Sequence, residues 1–212
     1  MRRLGILACV IVACGLAQAE ATPVYFSYKG TATGTIGSSD PFTLEYEISA
    51  RGEYENRKTL AGGTLLVLEH DAAQIKLPGA PPAGFFYISS PTRTVVNLDT
   101  GVVSFARGGD TGASLITGPA SAALVGWQMD SSAGPVIGTA THENWYENPP
   151  IEATIVGEGG VLRFYPTTTA PFSFTSTGVP EPASCLLAGG LVAISLFARP
   201  RRTKRTFAET TV

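Results

Sequence analysis

Between residues 42 and 49 apolar and polar side chains alternate without a break: Phe42, Leu44, Tyr46 and Ile48 against Thr43, Glu45, Glu47 and Ser49. A strand turns successive side chains to opposite faces, so this stretch predicts a half-buried strand of an antiparallel sheet. Residues 94 to 98 and 102 to 105 predict a hairpin around Asp99-Thr100-Gly101, with Gly101 in the left-handed position of the loop. Further strands are predicted over residues 24–28, 64–70, 85–89, 123–129, 136–141, 151–156, 161–165 and 172–175, most of them separated by Gly, Pro, Asp or Ser clusters. Neither a capped helical period nor an internal repeat is found in this region. The expected fold is all-β, an antiparallel β-sandwich or jelly roll over residues 22–166. Residues 167–178 (TTTAPFSFTSTG) are expected to carry the last strand into a polar linker.

The pattern changes at both ends. Met1-Arg2-Arg3 precedes an apolar run over residues 4–13, and Ala17-Gln18-Ala19 supplies the small side chains that a leader peptidase accepts in its pockets. Residues 1–19 therefore predict a signal peptide cut after Ala19, with a cut after Ala21 as the second choice. Ile11-Val12-Ala13-Cys14 also loosely fits a lipoprotein signal, in which Cys14 would be lipidated. At the other end, residues 183–198 (ASCLLAGGLVAISLFA) carry no charge and are followed by Arg199, Arg201, Arg202, Lys204 and Arg205. As a helix the run reaches ~24 Å, a little short of the ~30 Å hydrocarbon core, so it predicts a marginal membrane anchor. The basic cluster holds its far end in the cytoplasm, with residues 206–212 as a cytoplasmic extension and the β domain outside.

Val179-Pro180-Glu181-Pro182, the short apolar helix and the basic stop cluster together resemble the PEP-CTERM sorting signal of Gram-negative bacteria. The same element also carries the name of an ice-binding protein C-terminal domain. The resemblance covers about the last thirty residues of the chain. It implies recognition by an exosortase, a membrane-embedded cysteine transpeptidase, with processing at or near Pro180, Glu181 and Pro182. It also implies an exported protein of a bacterium that makes extracellular polysaccharide, passing through the inner membrane to the cell surface or matrix. Residues 206–212 depart from the family pattern, which usually ends at the basic cluster.

Composition and charge narrow the chemistry. Of the 212 residues 15% are charged, with 24 Gly and 15 Pro, against a coiled coil or a helical bundle. Residues 20 to 179 hold eight Lys and Arg against fifteen Asp and Glu, a net charge of -7 that gives no electrostatic reason to bind nucleic acid. All three Cys (Cys9, Cys14 and Cys185) lie in the leader or tail, so the β domain has no disulfide, thiol nucleophile or thiolate metal site. It also lacks a Gly-x-Ser-x-Gly elbow.

His70-Asp71 and His142-Glu143 hold metal-ligand chemistry, but no spacing fixes their distance, and ordinary loop positions are the simpler reading. Glu45 and Glu47 stand on a solvent face and select no glycosidase pair. Gly108-Gly109-Asp110-Thr111-Gly112 lacks the spaced acids of a calcium loop. Trp145 and Tyr146, between acids and amides, have the materials of a sugar-stacking site, against the simpler reading that Trp145 caps the core. The expected protein is a structural or adhesive component of the cell envelope or matrix, with no enzymatic activity, cofactor or metal. Its expected partners are leader peptidase, an exosortase-type transpeptidase and extracellular polysaccharide. A secreted carbohydrate-binding module or carbohydrate-active enzyme is the alternative.

Overall fold

The computed structural model describes residues 22–78, 85–109, 113–143, 145, 153–155 and 161–178. The signal segment, Cys14, the sorting motif Val179 to Pro182, the apolar run 183–198, the basic cluster and Tyr146 lie outside these residues. No helix among the described residues is long and apolar enough to cross a membrane.

The described chain is built of strands: β1 (Pro23–Ile36), β2 (Phe42–Glu53), β3 (Lys58–Leu60), β4 (Leu65–Glu69), β5 (Ala72–Lys76), β6 (Phe85–Ile88), β7 (Thr92–Asn97), β8 (Val102–Arg107), β9 (Ser114–Ala120), β10 (Ala133–His142), β11 (Ala153–Ile155), β12 (Val161–Phe164) and β13 (Thr167–Thr177). They form one antiparallel sheet in the order β12-β11-β6-β5-β2-β1-β13-β10-β9-β8-β7-β4-β3. The sheet curls because β1 serves two neighbours on one edge. Tyr25 to Gly30 pair with β13, and Gly34 to Ile36 pair with β12. The second pairing closes β12, β11, β6, β5, β2 and β1 into a ring, and the remaining strands continue from β1 as a curved wall.

The sheet curls far enough that side chains of β1 meet those of β7 and β8 across one core, while all its strands remain hydrogen-bonded as a single antiparallel sheet. The Tyr28 hydroxyl of β1 lies 2.6 Å from Thr94 Oγ1 of β7. The rings of Tyr28 and Phe105 meet edge-on at 5.5 Å. Phe26, Tyr46, Ile48, Leu68, Phe86, Phe164 and Phe174 fill the space between.

The predicted alternation of β2 is realised, with Tyr46 and Ile48 buried and Glu45 exposed. The predicted hairpin is β7–β8, with Asn97 opposite Val102 and Gly101 at φ 65°. Gly101 also donates its N–H to Asn97 and accepts from Ser121, and an added Cβ would run into the Ser121 carbonyl. Gly101→Ala is therefore expected to cost about 2 kcal/mol or more, from left-handed strain plus displacement of the Ser121 turn. The midpoint of urea unfolding checks this, and an unshifted midpoint would show that the turn yields freely.

Two predicted elements are corrected. Residues 123–129 are not a strand. A 3-10 turn spans Ala122–Leu124, and Gly126 and Met129 take positive φ, incompatible with extended backbone. The segment buries Leu124, Trp127 and Met129 as a plug rather than as one face of a sheet. Residues 167–178 are not a linker. Thr167–Thr177 is strand throughout and sits between β1 and β10, with Ala170, Phe172, Phe174 and Ser176 turned inward. The domain therefore extends to Thr177 rather than to residue 166. Thr169, Ser173, Thr175 and Thr177 occupy the outward positions of a genuine period-two pattern.

Candidate functional site

Trp145, weighed above as a sugar-stacking residue, is fully buried. Its ring lies 4.7 Å from that of Phe164 on β12 and 6.5 Å from that of Phe105 on β8. It thereby joins the closed ring of strands to the facing wall, and no face of it is open to a ligand. The core position is the outcome, and the stacking expectation for Trp145 is corrected.

The two histidines flank this aromatic bridge without meeting. His142, on β10, is 1% exposed, and its Nε2 lies 2.9 Å from the Tyr46 hydroxyl. Burial raises the Tyr46 pKa, so the phenol keeps its proton and donates it to Nε2, leaving the ring hydrogen on Nδ1. Among the described residues that Nδ1 has no hydrogen-bond partner, and neither does Trp145 Nε1. His70, just after β4, stacks against Phe105 at 5.6 Å. Its Nδ1 and Nε2 lie 2.9 Å and 2.8 Å from Thr92 and Thr94 Oγ1. Tyr28, Thr94, His70 and Thr92 thus form a buried hydroxyl–imidazole chain. Burial lowers the pKa of His142 to about 4 and of His70 to about 3, so both rings are neutral near pH 7. They share no partner, and no cluster of three or more His, Cys, Asp or Glu is found among the described residues. His70 stands at a strand end, as the sequence suggested, and is half-buried, whereas His142 is a core residue of β10 rather than a loop residue.

The open chemistry lies on the opposite face of the β13-β1-β2-β5-β6 wall. Strand pairing stacks its outward side chains in rows. One row runs Thr177, Tyr25, Arg51 and Ala72, and the next runs Thr175, Ser27, Ser49, Gln74 and Tyr87. These residues line a groove of about 340 Å³. Tyr25 and Tyr87 are 47% and 57% exposed, unusual for rings of that size, and stand on opposite sides of it. The Tyr25 ring rests over Gly178, where a Cβ would come within 2.8 Å of it. Among the described residues Arg51 is the only charged one lining the groove.

Along the same strands a second groove of about 490 Å³ follows, lined by Lys29, Glu45, Glu47, Ile137 and Pro171 among others. Lys29 and Glu47 form an ion pair at 3.0 Å. The Thr33 hydroxyl on β1 lies 2.7 Å from that of Thr43 on β2. No Asp or Glu is buried among the described residues.

The groove draws on five strands scattered over 150 residues, so its assembly could not be read from spacing. One local signal was present. Val24-Tyr25-Phe26 and Phe85-Phe86-Tyr87-Ile88 place large rings on both parities of a strand, and Tyr25 and Tyr87 stand where a solvent face would normally be polar. No protein-family model, curated protein or solved structure matches this chain.

Proposed function

We propose that the chain is an exported cell-envelope or extracellular-matrix protein with a structural or adhesive role and no catalytic one, delivered by its leader and sorted by its C-terminal tail. Carrying this is the co-occurrence of Val179-Pro180-Glu181-Pro182, an uncharged run and a basic cluster at one end with a leader pattern at the other, around an all-β domain. In this reading a sandwich-like ectodomain stands outside the membrane, flanked by a signal helix and a C-terminal membrane helix. Leader peptidase and an exosortase-type transpeptidase are its processing partners, and extracellular polysaccharide is its surroundings. Nucleic acid is not a partner of a domain this acidic.

The grooves support binding over turnover. A glycosidase sets two carboxyl groups in contrasting environments, one of them desolvated to hold its proton. Here Glu45 is exposed on its strand face, and Glu47 is tied to Lys29.

Intact mass and terminal peptides of the native protein, taken from envelope and medium fractions, test the sorting. The expected mature chain starts near Glu20 or Thr22 and ends near Pro180. A chain still ending at Val212 in the membrane fraction overturns exosortase processing and makes the tail a retained anchor.

A further inference from the structure

We propose that the outer face of the β13-β1-β2-β5-β6 wall binds a neutral polysaccharide, seated on the rings of Tyr25 and Tyr87. The site supplies a ligand for the adhesive role proposed above and rests on that role.

A pyranose ring has one face of C–H groups and a rim of hydroxyls. It is best held by an aromatic face beside small hydrogen-bonding side chains, with little charge to desolvate. The groove has that composition. Tyr25 on β1 and Tyr87 on β6 are separated by three strand intervals, ~14 Å at the usual spacing. Between them Ser49 and Ala72 keep the floor low, while Arg51 and Gln74 line the groove and offer donors and an acceptor. Two half-exposed rings so placed suit two separated units of one chain rather than one sugar.

Charge selects among polysaccharides. Among the described residues, the first groove carries one cationic side chain, Arg51. Residues 20 to 179 as a whole carry a net charge of -7. A polyanion would meet repulsion over most of the surface, whereas a neutral chain loses nothing by it. Stacking and hydroxyl hydrogen bonds would then carry the affinity, and salt would leave it unchanged.

Depletion of the full-length protein onto insoluble cellulose, curdlan and mannan, with calcium alginate beads as the anionic comparison, tests this. Retention is expected on at least one neutral polymer, insensitive to added salt. Tyr25→Ala and Tyr87→Ala should each weaken it about tenfold, as central aromatic contacts do, and the double variant should weaken it further. Both rings are half exposed, so the unfolding midpoint should stay near that of the parent. Should either variant fail to fold, Gln74→Ala probes the same groove, and its weakened retention supports the site. Absence of retention on every neutral polymer, retention indifferent to these substitutions, or retention only on alginate and lost in salt each overturn the proposal. The terminal-peptide measurement reads sorting separately, so a processed protein that binds no glycan refutes this site and leaves the sorting intact.

Discussion

Replacing Trp145 with alanine is expected to remove ~3–5 kcal/mol of folding stability, the cost of emptying a large aromatic site in a packed core. That is a large share of the ~5–15 kcal/mol that holds a domain folded. The loss should sit near the top of the range because Trp145 touches both Phe164 and Phe105, and so links two parts of the sheet that no strand pairing joins at that point. Trp145→Phe should cost less than half as much. It keeps an aromatic ring against Phe164 and also removes the indole N–H, a buried donor without a partner. Urea unfolding of the two variants checks the order. If Trp145→Ala unfolds at the parent's midpoint, the residue is not core. Equal losses from both variants would mean that the phenyl ring retained against Phe164 packs no better than an empty site.

Why sequence reading went part of the way is visible in β1 and β2. The apolar alternation of β2 was legible to residue 49 and then faded, yet the strand continues to Glu53. Its inward positions there are Ala50 and Gly52, small because the chain passes close to β4. A Cβ on Gly52 would lie 2.5 Å from the Glu69 carbonyl oxygen. β1 was legible to Tyr28 but runs to Ile36, because its inward positions become Gly30, Ala32 and Gly34. A Cβ on Gly30 would meet the Pro171 carbonyl oxygen at 2.5 Å, and one on Gly34 would strike that of Arg163. These glycines let β13 and β12 share one edge of β1. The residues that close the sheet therefore carry the composition of a loop.

β9 was missed for a related reason. Leu115 and Ile116 are both buried while Gly118 and Pro119 follow, so neither parity reads as a solvent face. The candidate groove was less legible still, since its rows exist only once register is set. Trp145 pointed elsewhere: its acidic and amide neighbours suggested a wet loop, and only the fold brings Phe105 and Phe164 onto it.

Acidification should destabilise the protein well before its carboxylates titrate, and the two buried histidines are the cause. An unfolded histidine titrates near pH 6.5. In the folded chain burial holds His142 near 4 and His70 near 3. Above about pH 6.5 both states carry neutral rings and stability is at its full value. As the pH falls below that, the unfolded chain takes up protons that the folded chain refuses, so stability drops until the folded pKa values are reached. At its steepest the loss is ~1.4 kcal/mol per pH unit for each ring, or ~2 kcal/mol each by pH 5.

His142 is the stronger case. It is 1% exposed, and a second proton would land on Nε2, displacing the hydrogen bond that this atom accepts from the Tyr46 hydroxyl. For His70, protonation requires both Thr92 and Thr94 hydroxyls to accept at once, which turns the Thr94 proton toward Tyr28 and reverses a chain in which the phenol, kept protonated by burial, is the natural donor. The measurement is unfolding free energy against pH between about 5 and 7 for the parent, His142→Phe and His70→Phe. Each substitution should remove about half of the slope, whatever it does to stability at pH 7. A slope that survives His142→Phe unchanged would place that ring in contact with solvent, or with an acceptor able to stabilise its charge.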